Sequence, residues 1–180
     1  MISKRVLVAY SSRSGSTAGT AEEIADVLGA AGFVVDCRPK EEVADVTAYC
    51  AVVLGSGMFV ASRASDGGGF LERHAAALRS RDVWLYSTGP IGGRAGRSGS
   101  ATDGECAVVT VGRAMGARGV AMFGTRVLAD ADDALASLVP TDRREVRTWA
   151  AHIATELGAT SPPPQISRRR HSCHGLATPR

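Results

Sequence analysis

Five short apolar runs, separated by segments of helical periodicity, restrict the fold of this chain more than any other feature. They are Arg5 to Tyr10 (RVLVAY), Phe33 to Cys37 (FVVDC), Ala51 to Gly55 (AVVLG), Val83 to Ser87 (VWLYS) and Gly119 to Gly124 (GVAMFG). Each has the length and β-branched or aromatic character of a strand. AVVLG does not alternate apolar with polar, so it is expected to be buried on both faces, as in a parallel sheet covered by helices. Ala21, Ile24, Ala25 and Leu28 follow the i, i+3, i+4, i+7 spacing and predict a helix from about Thr17 to Ala30, with Gly29 and Gly32 as its stop signal. A second helix is predicted over Phe70 to Ser80, with Phe70, Leu71, His74, Ala77 and Leu78 on one side. Val146, Trp149, Ala150, Ile153 and Leu157 mark a closing helix ended by Gly158. Pro39 to Tyr49 is polar and is expected to hold one short helix, and Ser87 to Gly104, rich in Gly and Ser, a loop. Glu105 to Met115 contains CAVVTV, a strand by propensity. We read it as a helix, because two parallel strands need a crossover between them. Strands alternating with helices imply an α/β domain with a parallel sheet and right-handed crossovers.

A chain of 180 residues is long enough to bury a real core, and 44% hydrophobic with 22% charged residues is ordinary for a globular protein. One folded domain is expected over 1–158. Residues 159–180 are Pro-rich, basic and without apolar periodicity, and are expected to form a disordered tail. The net charge of +3 is unevenly placed. Residues 161–180 carry four Arg and no acid, which leaves 21 − 4 = 17 basic against 18 acidic residues in 1–160, a net of −1. With only 5% aromatic residues, that balance argues against a nucleic-acid-binding surface. No apolar run approaches the roughly 20 residues of a membrane span, and Val6 to Ala9 is too short for a signal-peptide core. The four cysteines, Cys37, Cys50, Cys106 and Cys173, are scattered with no Cys-x-x-Cys, which fits a reducing compartment and a cytoplasmic location. Cys37 and Cys50, in or beside predicted strands, are expected to be small buried thiols.

In an open parallel sheet the ligand sits beyond the carboxyl ends of the strands, near the point where strand order reverses. The loops after the first, third and fourth strands are YSSRSGST, GSGMFV and STGPIGG, all rich in Gly, Ser or Thr. The first runs into a helix N-terminus, whose free N–H groups and partial positive charge suit an anion such as phosphate. Gly15 permits a tight turn, and Ser12, Ser14 and Thr17 add donors that do not depend on pH. A helix cap needs one such residue, whereas five of the six from Ser12 to Thr17 are Ser, Thr or Gly. The G-x-G-x-x-G and G-x-x-x-x-G-K-[ST] nucleotide motifs are absent, and the loop holds no cysteine for thiolate chemistry. The acids of a phospho-accepting receiver domain are replaced by Ser and Gly. His74 and His152 read as packing or surface residues on helices. Asp130, Asp132 and Asp133 lack the spacing of a Ca²⁺ loop, and His171, Cys173 and His174 make a poor metal site. No catalytic acid or base and no metal site is expected.

Tyr10, Ser12, Gly15, Thr17, Ala21 and Ile24 stand at the spacings of an aromatic-x-[ST]-x-x-[small]-x-T pattern followed by Ala and an aliphatic residue. In this the chain resembles the flavodoxin-like family, and the order of elements matches over about residues 4–157. Ala9, in place of a bulkier apolar residue, is the one departure in the motif. The resemblance implies a three-layer α/β/α fold with a five-stranded parallel sheet of order 2-1-3-4-5, and FMN as cofactor. By the same resemblance Ser12, Arg13, Ser14, Gly15, Ser16 and Thr17 would hold the FMN phosphate. Ser56, Gly57, Met58 and Phe59 would lie against one face of the isoalloxazine, and Thr88, Gly89, Pro90, Ile91 and Gly92 against the other. Family members often carry a Gly where Gly57 stands, whose peptide turns its carbonyl toward flavin N5 on reduction; only Gly makes such a flip cheaply. More narrowly, FLERHAAAL, VWLYSTGPIGG and MGARGVAMFGTRV look like menaquinone-dependent protoporphyrinogen oxidases and related flavodoxin-domain proteins. Those oxidases carry a long insertion where Gly92 to Gly104 is short and lacks large apolar residues. The loops also lack the Trp and Tyr that commonly sandwich the ring, and the domain is near neutral, which implies a flavin more weakly bound or more easily reduced. The expected function is a redox protein passing electrons between cytosolic partners, either a redox protein or a small-molecule donor or acceptor. Two alternatives stand beside it: a protoporphyrinogen or quinone oxidoreductase on the same scaffold, and a flavin-free binding or regulatory module.

Overall fold

Every one of the five apolar runs forms a strand: β1 (Arg5–Ser11), β2 (Val34–Pro39), β3 (Ala51–Ser56), β4 (Asp82–Ser87) and β5 (Gly119–Met122). The computed structural model describes residues 4–11, 16–57, 69–88, 101–123, 126–127, 138–139 and 142–158. The strands are all parallel and lie in the order β2-β1-β3-β4-β5, as expected, so the strand order reverses between β1 and β3. The helices are α1 (Ser16–Ala30), α2 (Phe70–Leu78), α3 (Ala101–Met115) and α4 (Arg143–Glu156). A short antiparallel pair, β6 (Arg126–Val127) with β7 (Leu138–Val139), was not legible in the sequence. Two residues per strand are too few to show a period.

The period of two along each strand divides the core between the sheet faces. Val6, Val8, Ala51, Val53, Trp84 and Tyr86 pack against α1 through Ala21, Ile24 and Leu28, and against α4 through Val146, Ala150 and Ile153. Leu7, Ala9, Val52, Leu54, Val83 and Leu85 face the other way, toward Phe70 and Leu78 of α2 and Val108 of α3. Each such Val or Leu contributes about 1.5–3 kcal/mol on burial. The CAVVTV segment is helical, as the crossover argument requires. That helix begins at Ala101, inside the stretch expected to be loop, because a first helical turn needs no apolar periodicity to form.

The β2–β3 crossover is the least regular part of the described core. Instead of an α-helix it contains one 3₁₀ turn, Lys40–Glu42, and an extended segment from which Val43, Val46 and Tyr49 cover Leu7 and Ala9. With few internal hydrogen bonds, it is held from outside. The Arg81 guanidinium donates to the carbonyls of Tyr49 (2.9 Å), Thr47 (2.8 Å) and Ala77 (2.6 Å), tying the crossover to the end of α2. On the opposite face α1 and α4 are joined by Glu23, which pairs with Arg147 and, at 3.8 Å, with Arg143. The Asp142 side chain caps α4 by accepting from the Arg144 N–H at 2.8 Å. Lys4 Nζ donates to the Leu157 carbonyl at 2.6 Å, and Gly158 turns the chain away at φ +74°. Cys37, expected to be buried, is half-buried against the α1 side of the core, because β2 is the edge strand of the sheet. Cys50 is exposed, not buried: it precedes β3, where its thiol donates to the Arg5 carbonyl at 3.2 Å. His74 is buried against the Phe70 ring, 4.6 Å between centroids, and His152 is on the surface, 2.8 Å from Glu156. The expected tail, 159–180, and the Asp130–Asp133 segment lie outside the described residues.

Candidate functional site

Parallel strands in register end together, and here the ends are chemically alike. Ser11 of β1 is level with Ser56 of β3, and Ser56 with Ser87 of β4, so three neighbouring strands finish on a row of serines at the strand-order reversal. The residues just beyond that row converge. The Thr88 N–H donates to the Ser56 carbonyl at 3.0 Å, which binds the start of the loop after β4 to the end of β3. The Thr17 and Thr88 hydroxyls are hydrogen-bonded at 2.6 Å, which binds that same loop to the first turn of α1. Thr17 is fully buried, and Thr88 is 8% exposed. A Cβ placed on Gly57 would stand 3.5 Å from the Thr17 Oγ1. Residues 17, 57 and 88, expected from three separate loops, are thus neighbours.

Tyr86 supplies a further tie that the sequence reading missed. Its side chain is fully buried, and its hydroxyl donates to the Thr17 carbonyl at 3.2 Å. The route passes over β3 at Gly55, where a Cβ would overlap the Tyr86 ring and hydroxyl. A glycine inside a buried strand signals a close approach of this kind, so a cue was present in AVVLG; the partner was not. One row earlier Trp84 lies over Gly119 of β5, where a Cβ would come within 2.9 Å of Trp84 Cδ1. Phe123 and Trp149 close the other side of Tyr86, with ring centroids 6.1 and 6.2 Å away. Four of the chain's nine Phe, Trp and Tyr residues, Trp84, Tyr86, Phe123 and Trp149, are therefore spent in the face that supports the site.

The electrostatics suit an anion held by neutral donors. α1 has no acid in its first turn, so its positive end is unopposed there. Burial pushes the Tyr86 hydroxyl well above the ordinary tyrosine range, so it remains a donor across physiological pH. Burial, with Glu22 and Asp26 nearby, pushes the Cys37 thiol up to about 11, which leaves it protonated and a poor nucleophile. Burial, then Cys37, Glu22 and Glu42, raise Tyr10 as well. Among the described residues no cluster of His, Cys, Asp or Glu could hold a metal ion, and no helix is long and apolar enough to cross a membrane.

Of the expected site residues, Thr17, Ser56, Gly57 and Thr88 are brought together at the strand ends, and Ser16 opens α1. Ser12, Arg13, Ser14, Gly15, Met58, Phe59, Gly89, Pro90, Ile91 and Gly92 lie outside the described residues.

A family model described as "Flavodoxin domain" matches residues 7–103, a span that includes all three site loops. Among solved structures, a flavodoxin from the domain Archaea is similar at a TM-score of 0.57 and 18% identity, covering 85% of this chain and 98% of that one. The two-electron reduced flavodoxin of Megasphaera elsdenii is similar at a TM-score of 0.51 and 22% identity, over 82% and 98% of the two chains. Rubredoxin oxygen:oxidoreductase from Desulfovibrio gigas gives a TM-score of 0.54 at 16% identity; 85% of this chain corresponds to 36% of that larger one. At these identities the likeness is one of fold. No curated protein matches the chain.

Proposed function

The chain belongs to the flavodoxin domain family, and on that premise we propose that it is an FMN-dependent redox protein that carries electrons between partners. FMN is the cofactor of the family. The observation that carries the reading is the convergence of Thr17, Gly57 and Thr88 at the ends of β1, β3 and β4, beside the N-terminus of α1. A phosphate at that helix end meets N–H groups and neutral hydroxyls and no carboxylate from the first turn, a donor set that fits a phosphate dianion. In this reading Ser12, Arg13, Ser14, Gly15, Ser16 and Thr17 bind the phosphate. Ser56, Gly57, Met58 and Phe59 orient one face of the ring, and Thr88, Gly89, Pro90, Ile91 and Gly92 the other. The Thr17–Thr88 hydroxyl pair couples the phosphate loop to the ring-facing loop. When bound, the flavin supplies the capacity to take up and release one or two electrons; the protein supplies binding, orientation and exclusion of water. We place the protein in the cytoplasm on its scattered cysteines, with a redox protein or a small-molecule donor and acceptor as partners.

The test is a visible absorption spectrum of the purified full chain, followed by titration with FMN. We expect the bands of bound flavin. In Ser14→Asp, which on this reading adds a carboxylate to the phosphate loop, FMN should bind on the order of tenfold more weakly or not at all. A colourless protein that takes up no FMN at micromolar concentration would overturn the reading in favour of a flavin-free module. A second reading, a protoporphyrinogen- or quinone-linked oxidoreductase, is supported by the likeness of FLERHAAAL and VWLYSTGPIGG to that subgroup. It predicts turnover of protoporphyrinogen with a quinone acceptor by the FMN-loaded protein, which the electron-carrier reading does not.

A further inference from the structure

We propose that Tyr86 is a positioning residue for the phosphate end of the site: its hydroxyl, reaching across Gly55, holds the first turn of α1 in place and with it the donors that face the phosphate. The inference rests on the FMN reading for its ligand, but its structural part stands on the chain alone. Tyr86 lies in a sheet face otherwise built from apolar side chains, where a phenylalanine would fill the same space. A buried tyrosine must place its hydroxyl, and this one does so on the Thr17 carbonyl at 3.2 Å. The reach is possible because Gly55 has no side chain; any Cβ there would occupy the path of the phenol. Phe123 and Trp149 leave the ring little room on its other side.

Thr17 is consequently held at two atoms, one from β4 and one from the residue just after it. Tyr86 takes its carbonyl, and Thr88, two residues further along the chain, takes its hydroxyl at 2.6 Å. The Thr17 carbonyl is also the helical acceptor for the Ala21 N–H, so the Tyr86 hydroxyl adds a second donor to a group already paired. That addition is not needed to satisfy a buried carbonyl. Its effect is to fix where the first turn of α1 lies relative to the strand ends. The helix N–H groups are the donors a phosphate would use, and their aim follows the placement of that turn.

Tyr86→Phe is the test, because it keeps the ring and its packing and leaves the Thr17 carbonyl with its helical partner. The full-length variant and the wild type are titrated with FMN and with riboflavin, which differ by the phosphate alone. Amide hydrogen exchange is measured without flavin at Ala21 and at Leu28, near the two ends of α1. We expect FMN binding to weaken about fivefold, the scale of one neutral hydrogen bond, with riboflavin binding unchanged. We also expect exchange at Ala21 to quicken relative to Leu28. Equal weakening of both flavins would make Tyr86 a packing residue and overturn the inference, as would unchanged FMN affinity with unchanged exchange at Ala21. If the wild type binds neither flavin, the FMN reading fails separately. The exchange ratio then decides alone whether the hydroxyl holds α1: faster exchange at Ala21 upholds it, and an unchanged ratio overturns it.

Discussion

A Cβ on Gly55 would overlap the Tyr86 ring, whereas a Cβ on Gly57 would meet the Thr17 hydroxyl at an ordinary 3.5 Å. The two glycines, two positions apart, therefore answer to different demands. Gly55→Ala should destabilise the protein by about 3 kcal/mol in urea unfolding, since the neighbour is a clamped aromatic ring and cannot yield. Gly57→Ala should leave stability within about 0.5 kcal/mol. If the Gly57 peptide turns toward the flavin, as the family resemblance implies, the same variant shifts the reduction potential of the FMN-loaded protein; an unchanged potential would remove that role. At this scale the sequence reading singled out Gly57 as a loop glycine and took Gly55 only as the end of the AVVLG strand. Which one the packing requires depends on Tyr86, 31 residues away from Gly55 along the chain.

At the scale of elements, the β2–β3 crossover shows how a segment without a regular helix is kept on the sheet. Asp36 on β2 accepts from the Tyr49 hydroxyl at 2.7 Å and from Arg5 at 2.8 Å, so the end of the crossover is pinned to the edge strand. The Tyr49 hydrogen bond, followed by the Arg5 contacts, holds the Asp36 carboxyl below the ordinary carboxylate range. The sign follows from proton uptake. Near and below pH 4 the unfolded chain binds a proton at Asp36 that the folded chain resists, so stability is present above the unfolded value and is lost as pH falls through the folded one. Tyr49→Phe removes the first cause of the depression. The midpoint of acid unfolding followed by circular dichroism should then move to higher pH, and an unmoved midpoint would show that Arg5 suffices. The polar composition of Pro39 to Tyr49 indicated a short element there. It could not indicate that Val43, Val46 and Tyr49 do a helix's covering work while Arg81, from beyond α2, supplies the hydrogen bonds. The converse case is CAVVTV, where local propensity favoured a strand and the need to cross between parallel strands decided for a helix.

For the molecule as a whole, the two helices on the α1 face are joined where their charges differ. Glu23 of α1 is largely buried and takes both Arg147 and Arg143 of α4. Glu23→Gln should lower stability by about 1 kcal/mol, less at high salt, whereas Glu22→Gln, at an exposed position of α1, should stay within about 0.5 kcal/mol of the wild type in the same urea unfolding. The last tie of the described chain to the rest is Lys4 on the Leu157 carbonyl. Residues 161–180 are Pro-rich, basic and without apolar periodicity, so deleting them should leave the melting temperature and the FMN dissociation constant unchanged. A large loss of FMN affinity on truncation would give those residues a part in the site.

The five sheet strands, the helices other than α3, and the loops at the carboxyl ends of the strands were determined by the sequence itself, because they follow from period, length and turn chemistry, which are local; α3 needed the crossover argument as well. The phosphate-loop motif was legible for the same reason: a helix N-terminus preceded by small hydroxyl residues is a contiguous stretch. The β6–β7 pair, the exposure of Cys50 and the aromatic residues laid over glycines were decided only in three dimensions. So was the hold of Tyr86 on Thr17. Each depends on which strands become neighbours and in what register, and register is a property of pairs of segments that no single segment encodes.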